Sequence, residues 1–265
     1  MAIVTLIIAA IAFLFAAFAI GLTGYGFGLV AMGFLPYVFT VAEANAIVVP
    51  LGWLITVAAL VPLRRHVDLR MLWPLAAGAL VGVPLGVVYL VRLDERVLRA
   101  SLGAIILIAL AASVYVARRA AREAAGGGSE AGAGESTSAR KTNRSAAGRL
   151  LAVAVGVVSG SFGGAFSVSG PPVVVYINEV RRDKTAIKAN LLAYFAFLIT
   201  TRIPYLVVSG VMTADILLTA AMMLPSVGLG LWLGTLLHNR LPTHIVRYFI
   251  QGLLAVSAVL LIVGA

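Results

Sequence analysis

Apolar residues fill run after run along most of the chain, without the period-two alternation of a membrane barrel, and runs of about 18 residues or more can cross roughly 30 Å of hydrocarbon as helices. The first run extends from about Ile3 to Ile20 and ends at the glycine-rich stretch GLTGYGFG, Gly21 to Gly28. A shorter apolar arm reaches about Phe39, and three long helices are predicted near Asn45 to Pro62, Met71 to Val91 and Val97 to Ala117. The second half repeats the plan. An apolar segment from Leu150 to Phe162 leads into GGAFSVSGPP, Gly163 to Pro172, then a short arm from about Val173 to Ile177. Helices near Ala186 to Val208, Ala214 to Leu237 and Ile245 to Val263 complete it.

Composition agrees with that pattern: 62% of residues are apolar, 11% are charged and the mean hydropathy is +1.06, which defines an all-α, polytopic integral membrane protein. The net charge of +10 does not point to nucleic acid, because the basic residues sit in short loops between apolar runs and so mark orientation. The absence of cysteine excludes disulfides, thiol catalysis and thiolate metal sites. The apolar start matches a signal peptide in length but has no positive residue before its core, so it is read as retained structure. No cofactor is expected.

One segment, 118–149, is polar and rich in Gly, Ser and Ala; it reads as a flexible linker between a first repeat, 1–117, and a second, 150–265. The repeats resemble each other. One shift brings Gly82-Val-Pro-Leu-Gly86 onto Gly230-Leu-Trp-Leu-Gly234 and Arg92 onto Arg240, and a nearby shift brings Ala44-Asn45 onto Ala189-Asn190. Their common order argues for an internal duplication. If each glycine-rich break is the tip of a re-entrant or broken-helix hairpin followed by three crossings, the second repeat is inverted relative to the first. Charge tests that topology. It puts Arg64, Arg65, Arg70, the basic residues of the linker, Arg181, Arg182, Lys184, Lys188, Arg240 and Arg247 on one side. Arg92, Arg96 and Arg99 fall on the other. By the positive-inside rule the richer side, linker included, is cytoplasmic, and the protein belongs in the inner (plasma) membrane. Four full crossings per half would instead give parallel repeats.

Non-helical backbone inside a bilayer costs several kcal/mol per unpaired group unless protein or a watery cavity satisfies it, so the breaks must face inward. In Ser169-Gly170-Pro171-Pro172 a hydroxyl residue and glycine precede two prolines, the pattern of a helix start. That start directs free N–H groups and about half a positive charge at the protein's centre, which favours an anion. Thr23, Gly24, Tyr25 and Gly26 are placed to do the same in the first half, with Gly163, Gly164, Ser167, Ser169 and Gly170 in the second. Two such ends meeting from opposite directions form a midplane anion site. Glycine in membrane helices also serves close packing, the blander reading of these stretches.

Arg202, within LITTRIPYL, is read either as attracting an anion or as snorkelling to the outer surface. Asn45 and Asn190 occupy equivalent places and are candidates for bonding the breaks or the ligand.

The residues GLTGYGFGLVAMGFLP with Ala42-Glu-Ala-Asn45, and GVVSGSFGGAFSVSGPPVVVYI with Lys188-Ala-Asn190, resemble the TauE/SafE family of membrane transporters, also described as sulfite exporters. The likeness covers nearly the whole chain outside the linker. It implies transport of small sulfur-containing or organic anions of the sulfite, thiosulfate, sulfonate or sulfoacetate class. The expected partners are a small anion, the lipid bilayer and a proton or other coupling ion. Alternating access around the midplane site is the expected mechanism. An uncoupled anion facilitator or channel is the alternative, since no Asp or Glu is placed clearly at mid-membrane. An intramembrane serine hydrolase using Ser161, Ser167 or Ser169 is remote, because no histidine is predicted within reach of these serines.

Overall fold

A computed structural model describes residues 3–23, 26–125, 146–180, 183–237 and 243–263. Among these residues the secondary structure is entirely helical. The first half holds α1 (Ile3–Thr23), a short α2 (Phe27–Phe34) running into a 3-10 turn (Leu35–Tyr37), α3 (Val41–Leu60) with a 3-10 extension (Val61–His66), α4 (Leu69–Arg92) and α5 (Glu95–Ala125). The second holds α6 (Ala146–Phe166), a short α7 (Gly170–Val180), α8 (Lys184–Val208), α9 (Ala214–Leu237) and α10 (Thr243–Val263). Among the described residues, six helices are long and apolar enough to cross a membrane: α1, α3 with its extension, α4, α6, α8 and α9.

Local chemistry explains where these helices begin. Thr40 and Glu43 form a capping box at the start of α3, and Asp68 and Asp183 accept from the first-turn amides of α4 and α8. Glu95 of α5 also receives the Val41 N–H, so the entry to α3 is tied to the fifth helix.

The boundaries refine the sequence reading. The segment α1 has 21 residues and spans ~31 Å at 1.5 Å per residue, as does α6, so the arms that lead into both breaks are long enough to cross. The arms that leave, with 8 and 11 residues, are not. The second break is narrower than the glycine pattern suggests. Helix α6 continues through Gly163 and Gly164 to Phe166, and only Ser167 to Ser169 lie between α6 and α7. At the polar segment, α5 runs on to Ala125 and α6 starts at Ala146.

Packing is exchanged between the halves. The first helix of each half lies along the fourth helix of the other: α1 against α9, and α6 against α4. Helix α3 meets α8, and α5 meets α10. On the α4–α6 seam, Gly78, Gly82 and Gly86 face Gly156, Gly160 and Gly164 at four-residue spacing. A Cβ at Gly78, Gly82 or Gly86 would run into the backbone of α6, so small residues here set the helix separation. On the α1–α9 seam Gly21, Gly230 and Gly234 play that part. The core, including Phe13, Met32, Leu35, Ile47, Leu75, Leu102 and Phe166, fills the space between these pairs.

Candidate functional site

Ending α6 at Phe166 leaves its last carbonyls without helical partners, and the rest of the chain supplies them. Gly163 O accepts from Ser167 N at 3.0 Å and from Arg202 Nη1 of α8. Asn45 of α3 donates its Nδ2 to Gly164 O at 3.2 Å and Ala165 O at 2.8 Å. Arg202 Nη2 bonds Asn45 Oδ1 at 2.7 Å and Ser167 Oγ at 2.7 Å, while the Ser167 hydroxyl donates to Asn45 Oδ1 at 2.6 Å. A first-half asparagine and a second-half arginine thus close one network around the break.

Ser167 makes the turn itself, with φ +58, a left-handed conformation unusual outside glycine. Its carbonyl sits where Gly28 passes: a Cβ at Gly28 would overlap Ser167 O. The two breaks therefore touch, as the sequence predicts, and glycine is what allows the contact. Ser159 of α6 donates to Ser169 O at 2.6 Å, fixing the far side of the same turn. At the first break, Gly26 caps α2 with φ +93 and no side-chain cap bond.

A cavity of about 200 Å³ opens onto this junction, lined among others by Gly26, Gly28, Ser167, Ser169, Gly170 and Arg202. The N-termini of α2 and α7 both border it. Arg202 does not snorkel. It is 1% exposed, and burial of that order removes a guanidinium from water altogether. All its hydrogen-bond partners are neutral oxygens, and its Nε has none. The C-terminal end of α6 offsets part of the charge, since a helix end carries only about half a negative charge. No carboxylate pairs with Arg202 among the described residues. A buried cation in this position favours an anion that enters the cavity.

The remaining sequence candidates separate. Gly163 and Gly164 lie inside α6: Gly164 packs against α4, and both lend carbonyls to the network but do not line the cavity. Asn45 is buried and positions Arg202 and the break from behind the cavity wall. Asn190, equally buried, sits elsewhere: its Oδ1 accepts from Asp68 N at 2.9 Å and its Nδ2 donates to Ala186 O at 2.7 Å. The aligned asparagines thus do different work. Gly24 and Tyr25 lie outside the described residues; Thr23 closes α1. Gly28, Thr56, Ser113 and Gln251 also border the cavity. Sequence patterning did not single out the last three, because an isolated polar residue in an apolar helix carries no spacing signal.

Among the described residues, a helical membrane-type fold thus brings the starts of two short helices to a cavity lined by a buried arginine that no carboxylate pairs. The chain belongs to the sulfite exporter TauE/SafE family, whose model matches residues 8–261, and that family comprises transporters and not enzymes. No curated protein and no solved structure matched the chain.

Proposed function

We propose that this chain carries small sulfur-containing or organic anions, of the sulfite, thiosulfate, sulfonate or sulfoacetate class, across the inner (plasma) membrane by alternating access. The carrying observation is Arg202, fully buried, bonded only to neutral oxygens, and facing a cavity that the N-termini of α2 and α7 border. The substrate's negative charge completes the site, with Ser167, Ser169, the amide at Gly170 and the backbone at Gly26 around it and Asn45 holding Arg202 in place. The exchanged packing of α1 on α9 and α6 on α4 supports inverted repeats, and each long arm with its short partner is then the element that moves. The basic residues of the polar segment 118–149 support a cytoplasmic location for it. A proton is the candidate coupling ion, and an uncoupled facilitator is the second reading, favoured by a cavity wall with no carboxylate among the described residues.

The test is anion uptake by the purified full chain in liposomes, with and without a pH gradient. Uptake that rises with the gradient supports coupling; uptake indifferent to it supports the facilitator. Absence of flux for every anion overturns the reading. Gly170→Leu places a branched side chain at the cavity wall, where a Cβ itself meets only Phe195 at 3.9 Å, so the variant should insert normally and lose transport.

A further inference from the structure

The cavity is larger and more apolar than a bare inorganic oxyanion needs. Its volume is about 200 Å³. One water needs roughly 10–15 Å³ of such space, so the cavity has room for more than about ten. Polar groups suited to a negative charge are gathered in one place: Arg202, Ser167, Ser169 and the start of α7 at Gly170. The rest of the wall comes from side chains such as Phe27, Val30, Val48, Leu192, Phe195 and Leu254. Thr56, Gln251 and Ser113 interrupt it, but Gln251 Nε2 donates to Ser113 Oγ at 3.0 Å, so part of this polarity is met within the wall.

A small inorganic oxyanion such as sulfite has no apolar part, and water surrounds its charged oxygens. Those turned toward Phe27 or Leu192 would lose water and gain nothing. An anion with one acidic end and an apolar body meets no such penalty, and burial of its body adds a favourable term. We propose that the preferred substrate is an organic anion whose single acidic head, sulfonate or carboxylate, sits at Arg202 and Ser167 while an apolar body fills the cavity between α2, α3 and α8. This rests on the anion-transport reading above and deepens it.

The test is calorimetric binding to the full chain in lipid nanodiscs, using sulfite, the linear alkanesulfonates from methane to octane, matched carboxylates, hexylammonium and 1-hexanol. Affinity should rise by about fourfold per added methylene, the fold-change equal to ~0.8 kcal/mol per buried CH₂, until the cavity is full. The carboxylates should rise with the same slope, and hexylammonium should not bind. Ala109→Leu, which adds bulk to the wall contributed by α5, should move the optimum to a shorter chain. Sulfite binding as tightly as hexanesulfonate would overturn the proposal, leaving anion transport intact. So would 1-hexanol binding as well as hexanesulfonate, since the cavity would then accept an acyl chain without its head. Failure of every anion to bind would instead sink the anion-transport reading itself.

Discussion

The two breaks solve the same geometric problem with different residues. At the first, Gly26 takes the left-handed turn with φ +93, and Gly28 supplies close approach, both by having no side chain. At the second, Ser167 takes the turn with φ +58 and keeps a side chain that bonds both Asn45 and Arg202. A non-glycine residue held there costs on the order of 1–2 kcal/mol. The protein therefore accepts strain where the side chain is used and avoids it where only backbone is needed. In the proposed site the second break supplies polar side chains, and Gly26 and Gly28 of the first supply backbone and close approach.

Removing the cation is the strongest way to break this contrast. Arg202→Met should lower anion affinity by about 2–5 kcal/mol, or roughly 30-fold or more, measured by binding in nanodiscs. An unchanged affinity would reduce Arg202 to a cap for α6. Next comes the seam that carries the second break. Gly82→Leu forces a side chain into Val157 of α6 and should destabilise the fold by about 1–3 kcal/mol or more, read as a lower thermal midpoint. The aligned asparagines sharpen the comparison further. Asn45→Ala strips partners from two buried carbonyls and from Arg202, costing about 1–3 kcal/mol and lowering anion affinity as well. Asn190→Ala should lower stability by ~1 kcal/mol and leave affinity alone. The smallest effect isolates the turn: Ser167→Gly and Ser167→Ala both lose the hydroxyl, but the glycine variant should be more stable by ~1 kcal/mol because it relaxes the left-handed strain.

The apolar spans and the two breaks were legible because each leaves a local mark: an apolar run of a given length, or glycines with proline. Arg202 left a mark too, a lone charge in apolar surroundings, but that mark fits snorkelling as well as burial, and only the packing of α8 decides between them. The glycine mark misled at Gly163 and Gly164. Glycine there reads as a helix breaker, yet Gly164 joins Gly156 and Gly160 in a stripe at four-residue spacing that faces Gly78, Gly82 and Gly86, and Gly163 lies against Leu198 and Ser169. That spacing was present in the chain and signals a helix contact as much as a break. What could not be read was pairing at a distance. Nothing local tells Asn45 that its partners are 119 residues on at Gly164, or 157 on at Arg202. Asn190, alike in sequence, ends beside Asp68 because the surroundings of the two positions differ, whatever their alignment.

Tyr37 donates to Ser257 O at 2.8 Å, and the Ser257 hydroxyl donates to Gly33 O, 224 residues earlier in the chain. With α1 seated on α9, the opening helices thus depend on neighbours synthesised long after them, up to 224 residues later in the case of Gly33 and Ser257. The first break can be threaded into the membrane early, yet it reaches its final setting only once α9 and α10 have been made. Until then α1 and α2 must wait among lipids or insertion machinery, and a chain cut short before α10 would leave them without their closing contacts.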